Sequence, residues 1–191
     1  TNIINLYGAD TARWFMLSDS PPERDLEWTD TGVASSYKFI SRLWEITLKI
    51  NNYTEPRKPE KYNTDVFTKL ISSVSENIER FHFNKSVANI YEYVNSLNSL
   101  VSLNKVKKSD LVDLLIDLSL IIQPFIPHIS EEIWACINQK GLCINAKWPK
   151  IKVLEGSQNI KIPIQVNGIT RSMITVDKNL DKDTIIEKAA K

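Results

Sequence analysis

The 191-residue sequence has few of the residues on which enzymes and metal sites usually depend: two histidines, two cysteines and five glycines. Cys136 and Cys143 cannot by themselves form a disulfide framework or a four-ligand metal site, and so few thiols favour a reducing compartment. His82 and His128 lack a cysteine or histidine partner at metal-ligand spacing, and no glycine-rich phosphate loop occurs. We therefore predict no catalytic residue, no metal ligand and no cofactor in this chain, and we assign His128 a structural role.

Long apolar runs are also missing. No run approaches the ~18 residues of a membrane span, and the first residues do not resemble a signal peptide, so we expect a cytoplasmic protein without a membrane partner. The net charge of +1 excludes a protein covered in basic residues. The basic residues are nevertheless concentrated in two zones, 31–62 and 144–191. Such zones are compatible with nucleic-acid binding but do not require it.

Apolar residues recur every three or four positions over much of the chain, which indicates amphipathic helices. Two neighbouring stripes, one through Val33 and Trp44 and one through Phe39, predict a helix over residues 31–52 that is buried on more than one side. The same spacing predicts further helices over residues 67–81, 87–101 and 111–122 and from Pro127 onward. The five tryptophans lie in these stripes, so we expect them to pack in the core rather than stack on bases.

This pattern predicts a mainly α fold in which residues 31–143 form an antiparallel helical bundle with short loops. Residues 1–30 are predicted to be a connector that contains its own helix, ended by Pro21 and Pro22. Glu131 and Glu132 are interpreted as complements to the positive end of a helix dipole.

The pattern changes after Gly141. Isoleucine and valine alternate with polar residues over residues 160–166, which predicts a strand, and Asn167-Gly168 predicts the tight turn of a β-hairpin. A return strand to about Val176 and a helix from about Asp181 follow. Because two strands and one helix cannot bury a stable core, we predict that residues 144–191 are part of a truncated α+β domain and that both ends of the chain are cut.

Candidate RNA-binding residues lie on the polar faces of the helices. Lys38, Arg42 and Lys49 are spaced by 4 and 7 residues, which places them on one side of a helix where they could follow phosphates. The alternative is a solvated face with an ion pair between Arg42 and Glu45.

Two further groups are candidates. Asn84 and Lys85 open another helix, whose N-terminus could accept a phosphate, although they are equally compatible with a cap and a surface lysine. Gln165, Asn167 and Arg171 surround the predicted turn, where polar side chains can contact an RNA backbone or an unpaired base.

Several strings resemble the class I leucyl-tRNA synthetases of bacteria. Residues 7–13 (YGADTAR) and 20–28 (SPPERDLEW) resemble the stretch that joins the catalytic domain to the anticodon-binding bundle. Residues 124–134 (PFIPHISEEIW) are similar to a bundle signature that leucyl, valyl and isoleucyl enzymes share. Trp148-Pro149, followed by residues 164–168 (IQVNG) and Arg171, resembles the start of the bacterial leucyl enzyme's C-terminal domain. That family usually has a lysine where this chain has Ile169.

The resemblance implies a fragment of a leucine–tRNA ligase that is inactive alone, because the HIGH and KMSKS motifs do not occur in the sequence. The parent enzyme would use ATP and Mg²⁺. The expected partners are tRNA(Leu) and the catalytic and editing domains of a monomeric parent chain. The bundle would lie along the inside of the tRNA, with Lys38, Arg42, Lys49 and Lys85 on phosphates, and the C-terminal domain would lie near the tRNA elbow.

Two alternatives stay open. The nearer one is the corresponding piece of a valyl- or isoleucyl-tRNA synthetase, which a downstream coiled coil or zinc module would identify. The more distant one is a helical protein-interaction module with no RNA role, which the low net charge favours slightly.

Overall fold

The structure, a computed structural model, describes residues 2–19, 25, 27–149, 159–166, 169–177 and 184. The chain divides into two compact units, residues 1–151 and 152–191. The described part of the first unit is helical. In chain order its helices are α1 (Asn2–Tyr7), α2 (Ala9–Asp19), α3 (Asp30–Asn51), α4 (Asp65–Glu79), α5 (Phe83–Leu103), α6 (Lys108–Ile122) and α7 (Pro127–Cys136), followed by a 3₁₀ turn (Cys143–Asn145). The mainly helical fold predicted from the apolar spacing is therefore confirmed.

The helix ends follow local sequence chemistry. Thr29 begins α3 as an N-cap, because its hydroxyl accepts a hydrogen bond from the Gly32 backbone N–H at 3.3 Å. Gly32 also permits the close approach of α2, since a Cβ at this position would collide with the Phe15 ring. Pro127 occupies the first turn of α7, where its missing N–H costs nothing.

The core of the first unit consists mainly of aliphatic side chains, most of them from α3 to α7. Aromatic residues complete it: Trp14 of α2, Phe39, Phe67, Tyr93 and Phe125. Trp14 is fully buried and stacks on Phe39 of α3 at a centroid distance of 4.5 Å. The segment predicted as a connector therefore contributes a central core residue. Other fully buried side chains include Leu43, Ile46, Ile50, Ile90, Tyr93, Leu97, Leu111, Leu115, Leu118, Ile121 and Phe125.

Core packing is confirmed for Trp14 and Trp134, and Trp44 packs partly buried against the core, but the other two tryptophans are exposed. Trp28 and Trp148 are 40% and 38% exposed. Trp28 contacts the Phe15 ring edge-on, and the Trp148 indole N–H donates to the Ser75 hydroxyl at 2.8 Å. Both rings therefore lie at the surface of the bundle and contact it from outside.

The described residues of the second unit form two antiparallel strands, β1 (Asn159–Val166) and β2 (Ile169–Asp177). Their register shifts beside Arg171: Ile164 pairs with Ser172 and Gln165 with Thr170, so Arg171 is the extra residue of a β-bulge. The predicted turn at Asn167-Gly168 lies outside the described residues. So does the predicted helix after Asp181, apart from Thr184, which has helical conformation.

Candidate nucleic-acid interface

The basic row of α3 consists of Lys38, Arg42 and Lys49. The two lysines are exposed and Arg42 is half-buried. Because residues 4 and 11 positions apart return to nearly the same side of a helix, the row follows one face over roughly 16 Å. The buried residues of α3, including Phe39, Leu43 and Ile46, lie on a neighbouring side of the helix. Burial of the apolar face therefore fixes the direction in which the basic row points.

The alternative interpretation of this face, an ion pair between Arg42 and Glu45, is not borne out. In the part of the chain that the structure describes, the ion pairs join Arg80 to Glu76, Lys105 to Glu60 and His128 to Asp10. Arg42 and Glu45 are thus not engaged with each other, and the Arg42 guanidinium can pair with a phosphate without first losing an acidic partner.

A second group of basic residues, which the sequence analysis did not single out, lies at the end of the bundle where α3 ends. We call it the basic end. Six of its members come from two loops and the start of α6, and Lys49 at the end of α3 belongs both to it and to the basic row. Its members are Lys49, Arg57, Lys58, Lys61, Lys105, Lys107 and Lys108, of which all but Lys108 are exposed.

Hydrogen bonds bring the two loops of the basic end together. Lys108 donates through its ammonium group to the Asn51 carbonyl at 2.6 Å and through its backbone N–H to a Glu55 carboxylate oxygen at 3.0 Å. The Glu60 N–H donates to the Lys105 carbonyl at 2.6 Å, and these two side chains form an exposed ion pair at 3.5 Å. The loops hold acidic residues as well, so the surface is moderately rather than strongly positive.

The start of α5 differs from the predicted anion site. The helix begins at Phe83, with His82 as its N-cap and without a side-chain cap. The backbone N–H groups of Lys85 and Ser86 already donate to the His82 carbonyl at 3.1 Å, and the Asn84 side chain accepts from Lys85 N–H. Any contribution of Lys85 to phosphate binding therefore comes from its exposed ammonium group rather than from its backbone.

A polar cleft of about 380 Å³ lies between α4 and α5, beside this helix start. Arg80, His82 and Lys85 line it together with Asn77 and Asn89, whose side chains are joined by an amide–amide hydrogen bond of 3.0 Å. Cations and amides in one cleft are suited to recognise phosphate oxygens and base edges.

The remaining candidates belong to the second unit. Gln165 lies in β1, Arg171 is the bulge residue of β2, and Asn167 lies outside the described residues. Gln165 and Arg171 are thus placed near the same end of the strand pair. The bulge leaves the backbone of Arg171 without a pairing partner in β1, which distinguishes it from its neighbours in β2.

His128 has the structural role that was predicted for it. Its Nδ1 lies 2.8 Å from an Asp10 carboxylate oxygen, and the ring itself is largely exposed. Glu131 was interpreted as a dipole complement, but its carboxylate accepts hydrogen bonds from the N–H groups of Cys143 at 2.7 Å and Ile144 at 3.0 Å. It therefore holds the 3₁₀ turn against α7, a role that helix spacing alone could not indicate.

Two buried groups, Cys143 and Tyr93, have raised pKa values. Burial raises the pKa of the Cys143 thiol, and the Ser130 hydroxyl, which lies 3.3 Å from the sulfur, partly offsets this. Burial also raises the pKa of Tyr93, whose hydroxyl donates to the Leu114 carbonyl at 3.0 Å. Both groups stay protonated at neutral pH and pack as neutral side chains.

Within the described ranges, no group of three or more histidine, cysteine, aspartate or glutamate side chains is arranged to hold a metal ion. In the same part of the chain, no helix has the combined length and apolarity that crossing a membrane requires.

Comparisons with known proteins identify relatives for nearly the whole chain. Residues 60–186 match the family described as the anticodon-binding domain of tRNA ligase. Leucine–tRNA ligases of Cereibacter sphaeroides (strain ATCC 17029) and of Jannaschia sp. (strain CCS1) are 38% and 35% identical over 94% and 98% of this chain. The chain spans only about a fifth of their length, 21% and 22% respectively.

One solved structure is similar over the same extent. It is described as the ternary complex of Agrobacterium radiobacter K84 agnB2 LeuRS-tRNA-LeuAMS. The match has a TM-score of 0.73 at 26% sequence identity and covers 98% of this chain and 25% of that chain.

Proposed function

This chain belongs to the family of anticodon-binding domains of tRNA ligases, and from this membership we propose that it is the tRNA-binding portion of a leucine–tRNA ligase. One observation carries the proposal. Almost the whole chain matches a leucyl enzyme whose structure contains tRNA. Leucine–tRNA ligases of other organisms are also similar to it over at least 94% of its length.

The chemistry of the described surface supports this function. The basic row of α3 leads to the basic end through Lys49, so cations extend along the bundle and across one of its ends. Separate cations along a rigid helix can each contact one phosphate, which fixes the position of an RNA without reading its sequence. The role proposed for the bundle is therefore to position tRNA(Leu) for a reaction that takes place elsewhere in the parent enzyme.

The remaining parts of the proposal concern the parent enzyme and the second unit. The parent ligase would act as a cytoplasmic monomer and use ATP and Mg²⁺ to attach leucine to the tRNA. Residues 152–191 would form the beginning of a small α+β domain with a β-hairpin, in which Gln165, Asn167 and Arg171 provide a second RNA-binding surface. The strand pairing and the bulge at Arg171 support this assignment.

Binding of three tRNA transcripts tests the function. The 191-residue chain is titrated with a leucine tRNA, a valine tRNA and a long-armed serine tRNA under identical conditions. We expect tightest binding to the leucine tRNA, because a module that follows the RNA backbone recognises shape. Equal affinity for all three would contradict a selective role for this portion, and absence of binding to any would contradict the tRNA-binding function itself.

A further inference from the structure

Phe81 has a backbone conformation that bulky residues rarely adopt. Its φ is +58° at the end of α4, where the Phe81 N–H donates to the Ile78 carbonyl and the His82 N–H to the Asn77 carbonyl. This pair of hydrogen bonds is the Schellman motif, in which glycine or asparagine usually takes the left-handed position. The same motif ends α7 with Asn138 in that position. A phenylalanine in this left-handed position is sterically unfavourable, and such strained residues are concentrated at functional sites.

The Phe81 ring is exposed but held in place. It is 67% exposed and contacts Phe83 edge-on at 5.8 Å, and Phe83 contacts the buried Phe125 edge-on at 6.3 Å. This series of rings connects the surface to the core. An aromatic face supported in this way can receive another flat ring without first losing much conformational freedom.

Arg80 directly precedes Phe81 in the sequence, Lys85 follows it by four residues, and both cations line the polar cleft between α4 and α5. Arg80 and Lys85 are exposed, and the Arg80–Glu76 ion pair of 2.7 Å is exposed on both sides. Exposed ion pairs are weak, so a phosphate can replace Glu76 at little cost. His82 and the Asn77–Asn89 amide pair add further polar groups to the cleft.

We propose that Phe81 is a stacking platform for an unpaired base of the bound RNA and that Arg80 and Lys85 bind the adjoining phosphate. An aromatic face next to positive charge is the combination that single-stranded segments of RNA require. An apolar protein partner would leave Lys85 without a counter-charge and would give Arg80 none beyond Glu76, so the surroundings favour RNA. The inference rests on the proposed tRNA-binding function and adds to it a site away from the basic row of α3.

Variants at Phe81 separate stacking from a structural role. Phe81→Asn keeps the left-handed conformation, as Asn138 shows, and removes the ring. We expect its affinity for a leucine tRNA transcript to fall between about 5- and 150-fold, the range for the loss of one stacked base. We expect its unfolding temperature to equal that of the unsubstituted 191-residue chain or to exceed it by up to about 4 °C, because the substitution relieves backbone strain.

Two further variants define the contact. Phe81→Trp keeps an aromatic face and should retain affinity, whereas Phe81→Leu keeps only apolar area and should bind as weakly as Phe81→Asn. Leu142→Asn, at another exposed apolar residue, is the matched control and should leave affinity unchanged.

If the unsubstituted chain binds tRNA and Phe81→Asn binds equally well, the proposed stacking site is contradicted while the proposed function stands. If Phe81→Asn has a lower unfolding temperature but unchanged affinity for tRNA, the stacking site is also contradicted, and the Phe81 ring has a structural role instead. If the parent chain does not bind tRNA, the proposed function fails first, and the inference fails with it.

Discussion

The Asp10 carboxylate accepts a hydrogen bond from the backbone N–H of Ile129 at 2.8 Å and thereby caps α7 from a helix 119 residues earlier in the chain. Three residues after Asp10, Arg13 donates to the carbonyls of Phe125 and Pro124, each at 2.8 Å. Asp10 and Arg13 therefore bind both sides of the turn between α6 and α7. Two of the strings on which the resemblance rested, residues 7–13 and 124–134, are partners in space.

Removal of this cap should destabilise the bundle. Asp10→Ala leaves the first N–H groups of α7 without their acceptor, so we expect the free energy of unfolding in urea to fall by about 1–2 kcal/mol. Glu92→Ala, at an exposed residue of α5, is the control and should change it by less than about 0.5 kcal/mol. Equal effects of the two substitutions would mean that the cap contributes nothing to stability.

The basic row predicts a specific salt dependence. Arg42→Ala should weaken binding of different tRNAs to a similar extent and reduce the slope of log affinity against log salt by about one, since one phosphate contact is lost. Lys140→Ala, at an exposed lysine beyond α7, should leave the slope unchanged. An unaltered slope and affinity in Arg42→Ala would remove Arg42 from the interface.

The basic end predicts a larger change. Neutralising Arg57, Lys58 and Lys61 together with glutamine should reduce the same slope by two to about three, because each is exposed and available to a separate phosphate. Circular dichroism should show an intact bundle, since none of the three is buried. If the triple variant binds tRNA as the unsubstituted chain does, RNA does not contact the basic end.

Cys143 predicts how stability depends on alkaline pH. Burial raises the pKa of the Cys143 thiol in the folded state, so folding favours the protonated form. The resulting stabilisation is fully present below the unfolded pKa of ~8.5 and is lost as the pH rises through the folded-state pKa. We expect the free energy of unfolding to decrease over this range, and to decrease less in Cys143→Ala. Parallel pH profiles for the two proteins would contradict the assignment.

The helices could be predicted from the sequence because burial of one face imposes a regular spacing. The prediction over residues 31–52 corresponds to α3 (Asp30–Asn51), and that over 111–122 to α6 (Lys108–Ile122). The starts of α5 and α6 lie three or four residues earlier than predicted, since their first turns carry few apolar side chains. The family resemblance was also confirmed by the relatives found.

Contacts between distant loops could not be predicted in this way. Lys108 holds the basic end together through its hydrogen bonds to Asn51 and Glu55, and contacts between helix ends and loops follow no periodicity. The Asp10 cap was missed for the same reason, as a lone carboxylate on a helix does not indicate which N–H groups it will meet. The roles of Lys38, Arg42, Lys49, Lys85 and the residues of the second unit stay predictions.

Affinity of the 191-residue chain for leucine tRNA over a salt series is the most direct measurement of the central claim that the bundle follows the phosphates of a tRNA. We predict measurable binding at roughly 50 mM salt and a linear decrease of log affinity with log salt. If each of the three cations of the basic row contacts one phosphate, the slope is about −3, and contacts at the basic end make it steeper. Absence of binding at low salt, or binding that salt does not weaken, would contradict the account.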